Sequence, residues 1–396
     1  MRNPHHARST TAVHAGRADL GLAHTPPLDL STTYRVPDPA AGTDSIDAWA
    51  AGASGADNPI YSRLHQPTVA RFEQAMAALE GADASVAFAS GMAAITAVLM
   101  AARSRGRHIV GVRPVYGGTD HLLSVGLLGF DITWVTEDGV AEAIREDTAL
   151  VVAETPANPT LQLLDIASVV AQAGAVPVMV DATFATPLRC RPLEHGATYA
   201  VHSATKFLGG HGDVLAGVVS CAEPFAAELR QVRIATGAVL HPLGGYLLHR
   251  GLQTLAVRLD RAEANAAKLV ERLQGHPAVS AVHWPGLAHT DPRGLLGRQL
   301  DGPGALLAID VGTRDAARQV MAQVRLWTPA VSLGSCDSLI QHPAGLTHRV
   351  VDPQAKADSG IGPGLLRLSV GLEDAEDLWA DLSAALESLL LQAAAR

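Results

Sequence analysis

Charge is scarce in this chain. Asp, Glu, Lys and Arg make up 17% of its 396 residues, against about 25% in ordinary soluble proteins. The formal net charge is −9 and no Lys/Arg run interrupts the acidic balance, which excludes a basic nucleic-acid face. Cysteine is limited to Cys190, Cys221 and Cys336. An odd number at those spacings fits neither a disulfide framework nor a zinc site, and a reducing cytoplasm is the expected compartment. No HExxH occurs among the histidines; His202/His211 and His342/His348 read as cleft or loop histidines, so no metal is expected. No GxGxxG follows the first strand-like segment, which argues against a nucleotide-binding dehydrogenase.

Long apolar runs are missing too. The longest charge-free stretch, Ala84–Ala102, has nineteen residues, near the ~20 that a membrane-spanning helix needs. Ser85, Ser90, Gly91 and Thr96 interrupt it. It divides into a strand (Ser85–Ala89), a turn and a helix (Met92–Ala102), so no membrane partner is expected. The N-terminus carries Arg2, His5, His6 and Arg8 without an apolar segment behind them, so no secretory signal is expected.

What is present is a chain that can bury a large core: hydrophobic residues reach 48%, which excludes disorder as the main state. Residues 1–60 have little periodicity and read as an N-terminal arm. Residues 61–250 alternate strands with helices. The expected strands are Ser85–Ala89, His108–Val112, Ile132–Val135, Ala149–Ala153, Pro177–Val180, Tyr199–His202 and Ala216–Ser220, with helices at Thr68–Leu79 and Ile166–Ala173 among others. That alternation predicts an α/β fold with a mostly parallel central sheet flanked by helices. Ligands in such folds gather at the C-terminal strand ends. Residues 251–396 form a smaller C-terminal α/β domain, with strands Leu306–Val311 and Leu366–Val370 and a last helix Asp374–Ala395. A long helical region, 241–274, joins the two.

Three strand ends carry chemistry. Ser90-Gly91-Met92 opens a helix directly after a strand, so its backbone N–H groups face an anion site. Val176–Val180 ends in Asp181, a carboxylate that can pair with a protonated pyridine nitrogen. His202-Ser203-Ala204-Thr205-Lys206 follows another strand, placing a Schiff-base lysine between hydroxyls that can hold a phosphate. Anion cradle, ring-nitrogen partner and lysine, in that order on one sheet, are what pyridoxal 5′-phosphate (PLP) requires.

Further segments make a family resemblance. They are Tyr61-Ser62-Arg63, Ser90–Ala94, Val115–Thr119, Glu154-Thr155-Pro156-Ala157-Asn158-Pro159-Thr160, Asp181–Pro187, Ser203–Lys206, Ser332-Leu333-Gly334, His342-Pro343-Ala344 with Thr347-His348, and Arg367–Glu373. Together they resemble the Cys/Met-metabolism PLP enzymes, which include cystathionine γ-synthase, cystathionine γ-lyase and methionine γ-lyase, from about Thr10 to Leu390. The resemblance implies the PLP-dependent transferase fold type I and a set of roles. Lys206 is the expected internal-aldimine lysine and proton shuttle, and Asp181 the partner of the pyridine nitrogen. Tyr116 stacks on the ring and serves as acid or base near the leaving group. Gly91, Met92, Ser203 and Thr205, with Ser90 and Thr183 beside them, form the cofactor cradle. Tyr61 and Arg63 reach the phosphate of a neighbouring subunit. Asn158 contacts the phenolic oxygen. Arg367 clamps the substrate carboxylate, a task for a planar fork, and Ser332 positions lysine and substrate.

The implied activity is γ-elimination on a γ-substituted amino acid such as methionine, cystathionine or a homoserine derivative, through a ketimine of vinylglycine type. Two alternatives are γ-replacement by an O-acylhomoserine-dependent synthase, and a specialised lyase that expels a non-thiol group such as halide. Val331 replaces the Glu that many cystathionine enzymes carry and points to an apolar γ-substituent. Gly118 stands where methionine γ-lyases carry Cys, Arg233-Ile234 where they show Lys-Asp, and Ala182 where Asn is usual. A cytoplasmic homotetramer, a dimer of dimers with shared sites, is the expected assembly.

Overall fold

The computed structural model describes residues 6–394. Seven strands, β1 (Ala84–Phe88), β2 (His108–Val112), β3 (Asp131–Val135), β4 (Thr148–Glu154), β5 (Val178–Asp181), β6 (Tyr199–His202) and β7 (Gly217–Cys221), form one sheet in the order β1-β7-β6-β5-β4-β2-β3. β2, β3, β4, β5 and β6 pair in parallel, while β7 runs antiparallel to both of its neighbours. Every expected strand in this region exists, with ends shifted by at most one residue.

The strand sequences explain their place. β4 is buried along its whole length. Leu150 and Val152 pack into the cluster that holds Val86, Phe88, Val98 and Leu99, whereas Val151 and Ala153 face the cluster of Ile166, Val169 and Val180. Alternate side chains of one strand thus feed two apolar layers, as a sheet covered on both faces demands.

A second sheet follows in the order β10-β11-β12-β9-β8, from β8 (Ala281–His283), β9 (Leu306–Asp310), β10 (Thr328–Pro329), β11 (Leu339–Gln341) and β12 (Leu365–Ser369). The last helix runs Ala375–Ala394 and buries Leu378, Leu382 and Leu386; Ala395 of the expected helix lies outside the described residues. Among those residues no helix is long and apolar enough to cross a membrane.

Two expectations are corrected. The arm, read from its lack of periodicity as without regular elements, holds α1 (Arg8–His14) and α2 (Pro39–Ala50), the latter started by an Asp38 cap and Pro39. The 241–274 region is two helices, Pro242–Leu252 and Leu255–Leu273. Three helices bear on the site: α3 (Pro67–Glu80), α4 (Gly91–Ala102) and α5 (Gly117–Ser124).

Candidate active site

The C-terminal ends of β4, β5 and β6 open onto a cavity of 450 Å3. The α4 N-terminus closes one side, and segments 331–333 and 346–347 with Arg367 close the other. A cavity of this size suits a small-molecule site.

Ser90 caps α4: its hydroxyl accepts the Ala93 N–H at 3.1 Å. The N–H groups of Gly91 and Met92 precede the helix's own acceptors and have none among the described residues, so they remain open to an anion. A Cβ on Gly91 would lie 3.0 Å from Ser203 Oγ. Only glycine lets the helix start approach Ser203 this closely. Ser203 adds a hydroxyl that has no hydrogen-bond partner among the described residues. Thr205 lines the cavity, but its hydroxyl donates to Ala216 O at 3.1 Å and accepts the Ala216 N–H at 2.9 Å. It shapes the cradle and has no proton left to donate there.

Asp181 closes β5. Its Oδ1 accepts both the Thr183 N–H (2.9 Å) and the Thr183 hydroxyl (2.5 Å). Oδ2 has no protein donor among the described residues. Burial raises the Asp181 pKa, and the Thr183 bonds offset part of the rise. Thr183 Oγ1 in turn accepts the Ser203 N–H at 2.8 Å, which ties the Asp181 loop to the Lys206 loop.

Lys206 Nζ donates to Ser332 Oγ at 2.7 Å. Burial, then the charge of Arg367, pulls its pKa down to about 8. Ser332 holds a left-handed backbone, φ +88°, an uncommon state for a non-glycine residue that marks a functional constraint. Arg367, on β12, is fully buried. Its Nη1 donates to Asn158 Oδ1 (2.8 Å) and its Nη2 to Ser332 O (2.7 Å). The Gln341 amide oxygen also accepts from the guanidinium, at 2.8 Å from Nη2, 3.1 Å from Nη1 and 3.2 Å from Nε, so Gln341 shares the five N–H donors with any incoming carboxylate. Desolvation lowers the Arg367 pKa to about 10, so it stays charged at neutral pH. Phe184 lies 5.6 Å from the guanidinium.

Tyr116 precedes α5 and is partly exposed at the cavity edge. Val331 is half-exposed at the mouth, joined by Leu215 and Leu346. Two expected residues are not brought in: Tyr61 and Arg63 do not line this chain's cavity. Arg63 Nη1 donates to Ile234 O at 3.0 Å, and the guanidinium lies 5.7 Å from the Tyr61 ring. Arg233 is likewise outside, held by Glu73 and Ala87 O. Cys336 does not line the cavity; its thiol contacts Gly210 O.

Glu154, Leu215, Leu346 and Phe184 line the cavity without having been singled out from the sequence. Glu154 had a readable signal, the same as Asp181: a carboxylate ending an apolar strand. Among the described residues no group of His, Cys, Asp or Glu is arranged to hold a metal.

The open Gly91 and Met92 amides, the Ser203 hydroxyl, the free Asp181 oxygen and the desolvated Lys206 amine define a site for a phosphorylated pyridine aldehyde. The comparisons agree. Residues 9–387 match the model of the "Cys/Met metabolism PLP-dependent enzyme" family. The chain belongs to that family, is a PLP-dependent enzyme of fold type I, and uses PLP as its cofactor. It is 56% identical to an L-methionine γ-lyase of Brevibacterium sandarakinum over 96% of this chain and 97% of that protein. It is 41% identical to that of Porphyromonas gingivalis over 96% and 97%. Among solved structures, cystathionine γ-synthase of Xanthomonas oryzae in complex with cystathionine superposes with a TM-score of 0.88 at 34% identity, covering 96% of this chain and 98% of that one.

Proposed function

We propose that this enzyme carries out γ-elimination on L-methionine, consuming water and giving methanethiol, 2-oxobutanoate and ammonia. PLP, when bound, supplies the electron sink that lets protons leave Cα and Cβ of an amino acid. The chain's own groups supply the rest. Gly91 N–H, Met92 N–H and Ser203 Oγ would hold the phosphate, and Asp181 Oδ2 the pyridinium proton. The Arg367 guanidinium, whose donors Gln341 also contacts, would bind the substrate carboxylate. Lys206 Nζ moves the Cα and Cβ protons; an amine with a pKa of about 8 can both take and return a proton near neutral pH. Ser332 Oγ gives that amine a resting position. Tyr116, which lines the cavity edge, would protonate the departing sulfur.

One observation carries the choice of substrate. The charged groups lining the cavity are Lys206, Arg367, Asp181 and Glu154, and each already has a partner or a task. The mouth offers Leu215, Val331 and Leu346 instead. A distal ammonium, such as that of cystathionine, would be desolvated there without a partner, whereas a methylthio group would not. The 56% identical relative named for methionine supports the same reading, ahead of γ-replacement or loss of halide. A product screen with methionine, cystathionine, O-acetylhomoserine plus cysteine, and a γ-halogenated amino acid tests it. Methanethiol and 2-oxobutanoate from methionine are expected to dominate. Thioether formation from O-acetylhomoserine as the main reaction would overturn it.

The site roles of the named residues belong to this proposal. So do the division into arm (1–60), PLP-binding unit (61–250) and smaller unit (251–396), the cytoplasmic setting and the homotetramer. The exposed Tyr61, and its absence with Arg63 from this chain's own cavity, support the reading that the segment just after the arm completes a neighbour's site.

A further inference from the structure

Glu154 ends β4 beneath the cavity, and none of its functions follows from the reaction. It is buried, and no Lys, Arg or His lies within salt-bridge distance of it among the described residues. Asp181 stands opposite it in the sheet register. Burial, then the Asp181 charge, pushes its pKa well up. A buried carboxyl beside another carboxyl, offset only in part by the charge of Arg367 and with no direct ion pair among the described residues, is destabilising unless its hydrogen bonds are needed.

Those bonds are specific. Glu154 Oε2 accepts the Tyr116 N–H at 2.6 Å, and Oε1 accepts the Asn158 N–H at 3.0 Å. Both donors sit on loops; the Asn158 loop is also held by Ala157 N–H on Gln162 O, Leu161 N–H on Ala157 O and the His348 ring on Asn158 O. The Asn158 loop contains Pro156 and Pro159, which have no N–H to give. Asn158 then holds Arg367, Arg367 holds Ser332, and Ser332 holds Lys206. One unbroken chain of hydrogen bonds therefore joins Tyr116 to Lys206, and Glu154 is its bridge between the two halves.

We propose that Glu154 is a positioning residue. It locks the Tyr116 loop to the Asn158–Arg367–Ser332–Lys206 series, so that the acid at the leaving group and the base at Cα keep one relative geometry. Glutamine cannot replace it: a side-chain amide has one acceptor oxygen, so its NH2 must face one of the two backbone N–H groups. Aspartate keeps the carboxyl but withdraws both oxygens by one methylene.

This inference rests on the lyase reading, and the experiment separates the two. E154Q and E154D holoenzymes are compared with wild type for kcat, KM, and absorbance and circular dichroism of the bound cofactor. Both variants are expected to keep the cofactor absorbance, since the phosphate cradle, Asp181 and Lys206 are untouched. Both are expected to lose at least ~10-fold in kcat/KM, because small misplacements of catalytic groups are costly, and to change the dichroism of the cofactor band. E154Q added to N158A should cost less than ~3-fold more, since the two act in series. Wild-type kinetics in E154D, or independent losses that multiply in the double variant, overturn the proposal. Failure of both variants to load PLP also overturns it, because Glu154 is then a folding residue. Wild type that does not cleave methionine defeats the lyase reading instead.

Discussion

Lys206 should capture PLP as an unusually acidic amine. Its pKa is depressed to about 8 from 10.5, by burial first and by Arg367 second. The sign is that of a cation held in a poor solvent: the charged form is disfavoured, so the reactive neutral form is present at lower pH. At pH 8 about half of a group with that pKa is neutral, against roughly 0.3% of an ordinary lysine, a gain of about 150-fold. The assay is the rate of PLP uptake by the apo-protein, followed by absorbance from pH 6 to 10 and divided by the rate for N-α-acetyl-lysine in the same buffers. The division removes the titrations of PLP itself. The ratio should be greatest at low pH and begin to fall near pH 8, above which the protein amine approaches full neutrality while free lysine continues to deprotonate. R367M removes the neighbouring positive charge and should move that break upward. A ratio that stays level through pH 10 would show an ordinary amine and refute the electrostatic account.

Three further outcomes are expected. A Cβ at position 118 would stand 2.6 Å from Tyr116 Cε1 and 3.2 Å from Met92 Sδ, so G118A should push the tyrosine ring aside. Its kcat/KM on methionine should fall about 10-fold with PLP retained; unchanged kinetics would mean that the ring position does not matter. V331E places a carboxylate at the apolar mouth and should shift the cystathionine-to-methionine ratio of kcat/KM upward by at least ~10-fold, since an ammonium gains a partner where it had none. A ratio that stays level removes Val331 as the selecting residue. W327A deletes a fully buried ring whose Nε1–H donates to Leu378 O at 3.0 Å; urea unfolding should show a loss of about 3–5 kcal/mol.

Much of the sheet was legible because buried parallel strands are short continuous apolar runs between glycine- and polar-rich turns, and this chain keeps that pattern from Ala84 to Cys221. What was not legible depends on contacts between distant segments. The stretch 241–274 reads as one helical region, with no proline or glycine at 253–254 to stop it. The break is made by Arg258, whose guanidinium takes the carbonyls of Gly251 and Phe207 and the Thr254 hydroxyl. α2 was hidden for the opposite reason: its Asp38–Pro39 start is a local signal, but the helix buries little beyond Trp49 and so lacks a strong apolar period.

The site divides along the same line. Lys206, Asp181 and the α4 start are visible because each is a polar group at the end of an apolar strand, a local contradiction that only a ligand or a catalytic task resolves. Glu154 carries the same mark, yet its partners are backbone N–H groups of Tyr116 and Asn158. Backbone donors have no side-chain signature, so residue type and spacing cannot reveal that two loops meet on one carboxylate. The same holds for Ser332: its serine is readable, but its left-handed backbone and its place between Arg367 and Lys206 arise only when the second sheet closes on the first. The cofactor machinery is therefore written strand by strand, whereas the geometry that selects and aligns an amino-acid substrate is written between the two sheets.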